Sequence, residues 1–300
     1  MLGGVITDSE LRNSSYSWQL AYMEGLGEHF DASLSYLNEG HIPLHHRDGI
    51  AVQLWARTDL LDRRLALLAG IGPYFYCDTT KASANSSFSD DHGLGAMLSL
   101  AANWYTNSPL FFQLRTNWVK ASNGNDTLSA IGGIGYQLDS PSTTRPPTKI
   151  IPYQEKTTLN EITLLAGESI LNSFGSENSL AASVEFRRSL WRYVDWTVAW
   201  LYEGDNQLIR RNGLASQFWL VNEFFGDRLS IGVGGGAYFA FQRRRHLRED
   251  EDDSSLSGIV TLTGSYRFHP HWAMRISWNR IVTNYNEDSD VILGGIGYLF

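Results

Sequence analysis

Apolar and polar residues alternate along many short segments of this chain of 300 residues. In one segment Phe112 and Leu114 share one face, while Gln113 and Arg115 share the other. A period of two predicts β-strands, because successive side chains of a strand point to opposite faces. Most of these segments have roughly 9–13 residues, the length that a tilted strand needs to cross a bilayer.

Sixteen such strands are predicted, eight in each half of the chain. In the first half they cover roughly 3–9, 14–24, 30–38, 49–58, 64–76, 93–105, 110–121 and 127–138. In the second half they cover about 161–168, 179–188, 194–202, 213–222, 228–241, 257–268, 271–282 and 290–300. Short turns alternate with longer polar loops, which is the pattern of outer-membrane barrels with their long loops outside the cell.

The polar face of these strands is predicted to point inward and the apolar face outward. A soluble core that contained Arg115, Arg275 and Glu185 would leave buried charges unpaired. Aromatic residues near the strand ends fit the girdles that transmembrane barrels place at the membrane interfaces. We therefore expect an all-β, antiparallel transmembrane β-barrel.

An internal repeat organises the chain. A shift of 164 residues places Tyr36–Tyr76 over Trp200–Ala240 without a gap, with about 15 identities in roughly 41 positions. Smaller shifts extend the match to the ending GGIGY, which occurs at 132–136 and 294–298. The repeats span 1–138 and 159–300, and the segment 139–158, rich in Pro and Thr, is predicted to be a linker.

Two repeats of eight strands can close separately or together. Separate eight-stranded barrels are filled with side chains, whereas a sixteen-stranded barrel encloses water. The short linker, and Leu138 where the second copy has Phe300, favour a single sixteen-stranded barrel over residues 1–300.

Composition narrows the partners. With 24 Lys+Arg against 32 Asp+Glu the chain has a formal net charge of −8, which argues against nucleic acid. The single cysteine, Cys77, cannot form an internal disulfide. No signal peptide is visible after Met1, so a mature protein or a domain of a larger secretion protein is expected. No cofactor and no metal site are predicted.

Short stretches of this sequence resemble two known classes of protein. The last strand, with Tyr298 and Phe300, resembles the terminal recognition strand of Gram-negative outer-membrane proteins, which implies a bacterial outer-membrane location and recognition by the barrel-assembly machinery. Each half also resembles the eight-stranded lipid A deacylase (PagL-like) family, through AGIGPYF, DDHGLGAMLSLAANW and LRTNWVKASNGND. The His/Ser motif of that family is missing at 117–120 and 277–280, so no catalytic residue is assigned and the chain is not expected to be an enzyme.

The inward face supplies the predicted site. The pore-lining residues are expected to be Arg57, Arg115, Arg267, Arg275, Gln53, Gln217, Glu185, Trp55, Trp219, Tyr74 and Tyr238. Charged side chains of this kind set selectivity in channels, and aromatic rings stack on sugars. The predicted function is a porin-like outer-membrane channel for a polar solute or polymer, possibly a saccharide, including the export pore of an exopolysaccharide.

Two other functions stay open at this point. One is a PagL-like lipid A hydrolase, which would need a nucleophile and a base such as Ser122 and His92 at the outer rim. The other is a structural or adhesive barrel that acts through its charged loops. In each case outer-membrane lipids and lipopolysaccharide would surround the barrel.

Overall fold

The described part of the computed structural model contains sixteen antiparallel β-strands, as the alternation predicts. The structure describes residues 1–8, 13–42, 45–80, 88–122, 125–138, 159–173, 176–205, 210–242 and 255–300. No helix in these ranges is long and apolar enough to cross a membrane. The linker predicted at 139–158 lies outside the described residues.

The strands of the first repeat form one closed barrel. They are β1 (Leu2–Asp8), β2 (Ser14–Gly25), β3 (Phe30–Ile42), β4 (His45–Leu60), β5 (Leu65–Thr80), β6 (Ser89–Tyr105), β7 (Leu110–Ala121) and β8 (Thr127–Tyr136). Each strand pairs with its neighbour in the sequence, and β8 returns to pair with β1.

The strands of the second repeat form another closed barrel. They are β9 (Asn160–Leu171), β10 (Asn178–Trp191), β11 (Val194–Asp205), β12 (Arg210–Phe224), β13 (Leu229–Gln242), β14 (Leu256–His269), β15 (Trp272–Val282) and β16 (Ser289–Leu299). Here β16 closes the ring on β9. The two barrels are separate compact units, residues 1–151 and 152–300.

The prediction of a single sixteen-stranded barrel was therefore wrong. It took β8 for an internal strand, but Leu2 pairs with Gly133 and Val5 with Ala130 along an antiparallel β1–β8 ladder. Every hydrogen-bonding edge of the first repeat is thus used within that repeat, and an eight-stranded ring leaves none for β9.

The glycines of the GGIGY endings explain how each ring closes. A Cβ atom on Gly133 would lie 2.0 Å from the carbonyl oxygen of Met1, and one on Gly295 would lie 1.9 Å from that of Leu164. A side chain at either position would collide with the backbone of the partner strand, so glycine is needed for the close approach. Both copies of the ending are therefore closing strands.

The predicted sidedness of the strands is confirmed. Along β7 the polar Gln113, Arg115 and Asn117 are buried, whereas Phe112 and Leu114 are exposed. The same inversion holds on β12, where Gln217 is buried beside exposed Phe218. A polar interior behind an apolar outer surface is the arrangement of transmembrane barrels.

Aromatic residues ring the exposed surface near the strand ends. At the rim that carries the chain termini, the second barrel exposes Tyr193, Trp272 and Tyr298. At the opposite rim it exposes Trp200 and Phe239. These positions fit the interfacial girdles of a membrane-spanning barrel.

Candidate functional site

The polar interior of each barrel is the candidate site, and it has three levels. We call them the rim lock, near the long-loop rim, the Trp layer in the middle, and the terminal level, near the rim where the chain termini lie.

The rim lock of the first barrel is an ion pair between neighbouring strands. Arg47 on β4 donates from Nε and Nη2 to the two carboxylate oxygens of Glu39 on β3, at 2.9 and 2.8 Å. Tyr74 Oη donates to Glu39 at 2.9 Å. Arg47 and Glu39 are at most 1% exposed, so the pair is fully desolvated. Charge-assisted, bidentate bonds of this kind are among the stronger polar contacts in proteins.

The lock also reaches across the lumen. Arg47 Nη2 donates to Thr127 Oγ1 at 3.1 Å, Thr127 donates to Glu39 at 2.6 Å, and Arg47 Nη1 donates to the backbone carbonyl of Asn125 at 2.9 Å. Thr127 lies on β8, four strands from β4 and so on the opposite wall of an eight-stranded ring. The guanidinium therefore spans the interior at this level.

The second barrel builds the same lock. Arg211 binds both oxygens of Glu203 at 2.7 and 2.6 Å, and Ser289 takes the place of Thr127 in bonding Arg211 and Glu203. Tyr285 adds its hydroxyl as an acceptor 3.2 Å from Arg211 Nη1. The two locks lie at positions 164 residues apart, as the sequence repeat predicts for Glu39 and Arg47.

A bulge presents each lock glutamate to the interior. The register of the β3–β4 pair shifts between Asn38 and His41, and Gly40 within this bulge has a φ of 68°. Gly204 repeats the feature with a φ of 87°. A positive φ favours glycine, and a bulge redirects the neighbouring side chain.

The Trp layer is a chain of hydrogen bonds beside a buried indole. In the first barrel Gln53 donates to Ser99 at 3.0 Å, and Ser99 donates to Asn117 at 2.7 Å. The indole N–H of Trp55 donates to Ser33 at 2.8 Å. The glycine opposite, Gly70, makes room for the ring, because a Cβ there would lie 2.4 Å from it.

The second barrel repeats this layer bond for bond. Gln217 donates to Thr261 at 2.8 Å, Thr261 donates to Asn279 at 2.9 Å, and Trp219 donates to Thr197 at 2.9 Å. The glycine–aromatic motif shared by both halves therefore accommodates a buried ring. The structure places Trp55, Trp219, Tyr74 and Tyr238 in the interior at no more than 1% exposure.

A guanidinium lies over each indole, but a different strand supplies it. Arg115 on β7 stacks on Trp55, with its Cζ 4.5 Å from the ring centroid. Arg187 on β10 stacks on Trp219 at 4.1 Å. Both distances are within the range of cation–π attraction. Sequence reasoning missed Arg187, because Met23 occupies the equivalent position in the first repeat.

The terminal level differs most between the barrels. In the second barrel Arg275 binds Glu161 at 2.6 Å, and Arg187 binds Glu185 at 3.0 Å and lies 3.5 Å from Asp195. Four of these residues, Glu161, Arg187, Asp195 and Arg275, line a small polar pocket of about 50 Å³ that is partly open to solvent, and Arg267 also lines it. In the first barrel Arg57 bridges Asp59 at 2.7 Å and Asp31 at 3.6 Å.

Each residue of the predicted pore lining thus faces an interior, but in two separate barrels. Gln53, Trp55, Arg57, Tyr74 and Arg115 line the first, and Glu185, Gln217, Trp219, Tyr238, Arg267 and Arg275 line the second. Gln113 and Arg275 hold equivalent places in the two barrels, opposite Gly133 and Gly295.

The residues of the other hypotheses can also be placed. Ser122 Oγ lies 3.3 Å from Tyr76 Oη, and His92 is exposed opposite Cys77. Tyr298 and Phe300 stack on the outer surface with ring centroids 6.2 Å apart. The Phe300 backbone pairs with Asn160 through two hydrogen bonds of 2.9 and 3.1 Å.

Comparison with known proteins gives structural matches only. No protein-family model and no curated protein matches the chain. A solved structure titled "De novo design of transmembrane beta-barrels" matches with a TM-score of 0.35 and 12% identity over 49% of this chain and all of its own. KdgM porin matches with a TM-score of 0.21 and 8% identity, over 95% of this chain and 98% of its own.

An outer-membrane channel from Pseudomonas putida F1 matches with a TM-score of 0.24 and 12% identity, over 99% of this chain and 94% of its own. These matches are similarities in strand architecture. The closed antiparallel rings, the apolar outer surface and the polar interior of this chain are features of bacterial outer-membrane β-barrels. The chain has the fold of a transmembrane β-barrel protein, the class to which porins and outer-membrane channels belong.

Proposed function

We propose that the chain is a bacterial outer-membrane protein of the porin-like class, in which each barrel carries a narrow polar conduit for ions or small polar solutes. The rim lock, built twice from Arg and Glu, is the observation that carries this proposal. Short turns and termini at one rim, with longer loops at the other, would place the locks toward the cell exterior.

The chemistry of the lock favours a closure that can open. A buried ion pair has a large desolvation cost, and apolar residues of similar volume often stabilise a protein equally well or better. Arg47 and Arg211 nevertheless hold a charged contact across each lumen. Charged and hydroxyl groups can exchange partners with water, whereas an apolar filling cannot, so the lock suits a gate.

The interior limits what could pass. Below each lock, Trp55 or Trp219 and the amide–hydroxyl chain fill much of the cross-section with single side chains. Eight strands enclose little more than this. The conduit therefore suits ions and small polar solutes, and the expected saccharide or exopolysaccharide stays a prediction without support from the interior.

Conductance in planar bilayers tests the proposal. The double variant Glu39→Gln with Glu203→Gln weakens both locks. We expect at least about a tenfold rise in conductance, which corresponds to a loss of about 1.4 kcal/mol in the free energy that favours the closed state. Glu28→Gln, in the exposed β2–β3 turn, is the matched control. A further variant exchanges the charges of the first lock through Glu39→Arg and Arg47→Glu and keeps Glu203→Gln in the second. We expect the conductance of this variant to fall below that of the double variant, because the first lock can form again.

Folding has to be shown for each variant by a heat-dependent shift in gel mobility. A folded protein that conducts in neither the wild-type nor the double-variant form would contradict the channel. That result would favour the second candidate, a structural or adhesive barrel, which the dense hydrogen bonding of both interiors also fits. Deleting 243–253 and scoring surface binding would then test the adhesive role.

Two expectations about partners belong to the same proposal. Outer-membrane lipids and lipopolysaccharide would contact the exposed apolar surface, and the barrel-assembly machinery would recognise Tyr298 and Phe300. Both rings are exposed and stacked on the outer surface of β16 and the residue after it. Phe300→Ala should lower the yield of assembled barrel in cells, while Phe225→Ala, at an exposed turn, should not.

A further inference from the structure

The interior of the first barrel contains a buried cation that no carboxylate of the described residues neutralises. Arg115 is 2% exposed, and in the described part of the chain its bonds go to neutral groups. Its Nε donates to Asn117 at 2.7 Å, and its Nη2 reaches Gln53 and, at 3.4 Å, Ser99. Uncompensated buried charge is strongly disfavoured, even where hydrogen bonds and an aromatic face reduce the cost.

The carboxylates of the rim lock and of the terminal level in this barrel already have other partners. Toward the long-loop rim Glu39 is held by Arg47, and toward the terminal rim Asp31 and Asp59 flank Arg57. Arg115 also contacts two uncharged groups, the Trp55 ring and the sulfur of Met97, which lies 4.0 Å from Nη2. The middle of the first barrel therefore carries a local positive charge.

Hydrogen-bond donors near this charge are also unsatisfied. Arg115 Nη1 and Gln19 Nε2 are buried and have no hydrogen-bond partner among the described residues. Asn117 joins the two side chains, because it accepts from Arg115 and donates to Gln19 Oε1 at 3.3 Å. A third buried group without a partner in those residues, the hydroxyl of Ser35, lies on the adjacent strand β3.

The second barrel lacks all three groups. The strand registers place Ser183, Ala199 and Ser277 where the first barrel has Gln19, Ser35 and Arg115. Ser183 is satisfied by the carbonyl of Trp200 at 2.9 Å. In the second barrel the cation stacked on the indole is Arg187, and Glu185 neutralises it. Among the described residues, buried side-chain N–H donors without a partner thus occur only in the first barrel, whereas the groups of this kind in the second barrel are the hydroxyls of Ser169, Tyr238 and Ser257.

We propose that the first barrel binds a small monovalent anion of chloride size between Arg115 and Gln19. The anion would accept hydrogen bonds from Arg115 Nη1 and Gln19 Nε2 and neutralise the guanidinium. Close packing by Trp55 and Met97 restricts the site to a small ion. The site does not depend on conduction, since a bound anion can be purely structural.

Bromide is the probe. The full chain in detergent micelles is titrated with sodium bromide against sodium gluconate at constant ionic strength, and the unfolding midpoint of the first barrel is followed. A ligand that binds only the folded state raises that midpoint with its concentration. Crystals soaked in bromide locate the ion by its anomalous scattering.

We expect bromide to stabilise the wild-type first barrel and to give an anomalous peak beside Arg115. Arg115→Gln should weaken the apparent affinity at least about tenfold, which corresponds to 1.4 kcal/mol. Arg115→Lys should retain the stabilisation, because it keeps the charge. Arg187→Gln in the second barrel should leave the bromide effect on the first barrel unchanged.

Gln19→Leu is the second variant, for use if Arg115→Gln does not fold, and it should weaken bromide binding while keeping the cation. The proposal is overturned if bromide stabilises wild type and both variants equally, or if no peak lies beside Arg115. Bromide binding without conductance would contradict the channel and leave this site standing. Conductance without bromide binding would contradict the anion site and leave the channel standing.

Discussion

The two barrels share their locks and their Trp layers but differ in how they neutralise interior charge. At the lock, Glu39–Arg47 and Glu203–Arg211 are equivalent in position and in bonding. Below it, the second barrel pairs Arg275 with Glu161, whereas Arg115 in the first has neutral partners within the described residues. The lock, which both barrels keep, indicates a requirement that the two barrels share. The different neutralisation of interior charge indicates a property of each barrel alone.

The largest expected effect comes from removing one partner of the charge pair that only the second barrel has. Arg275→Leu would leave Glu161 buried without its main partner, and we expect a loss of about 3–5 kcal/mol in the second barrel. Arg115→Leu in a halide-free buffer should change the stability of the first barrel by less than about 1 kcal/mol, because it removes neutral hydrogen bonds together with an unpaired charge.

Urea unfolding of the full chain in micelles, with each barrel followed separately, measures both changes. The double variant Glu161→Leu with Arg275→Leu is the control and should recover most of the lost stability. Equal losses from Arg275→Leu and Arg115→Leu would show that the two interiors are neutralised alike, and the contrast between the barrels would fail.

The next effect tests the equivalence of the locks. Glu39→Gln and Glu203→Gln each exchange charge-assisted hydrogen bonds for weaker ones, and each should destabilise its own barrel by about 1.5–3 kcal/mol. The same unfolding measurement, made on each single variant, checks this. A clear effect in one barrel alone would mean that the lock contributes to stability in only one of them.

The smallest effect concerns the glycines beside the indoles. Gly70→Ala and Gly234→Ala place a Cβ about 2.4 and 2.6 Å from the rings of Trp55 and Trp219. Displacing a buried indole should cost about 1–3 kcal/mol in either barrel. Gly235→Ala is the control, since nothing lies within 4 Å of its Cβ position. Thermal unfolding compares the three, and a neutral Gly70→Ala would show that the indole can shift freely.

Strands and their faces could be predicted because alternation is a local property. Gln113 beside Phe112 is enough to assign an inner and an outer face to β7. The rim lock could also have been predicted, because the repeat places Glu39 over Glu203 and Arg47 over Arg211 at the shift of 164. The sequence pattern places Arg47 and Arg211 in loops, whereas β3 extends to Ile42 and β4 begins at His45, so that Arg47 lies on a strand.

The closure of the barrels could not be predicted in the same way. Partner choice for β8 depends on edges far apart in the sequence, and both β1 and β9 offer a suitable one.

The duplicated closing strand also bears on how the chain folds. Because GGIGY occurs at both 132–136 and 294–298, β16 presents to β1 nearly the same edge as β8 does. Joining β1 to β8 brings together segments about 130 residues apart, while joining β1 to β16 would span nearly the whole chain. Loop-closure entropy grows only slowly with length, so the discrimination between these partners is weak. If the first ring closes before the second is complete, as domains that fold in chain order do, β8 and β16 would each keep its own partner strand.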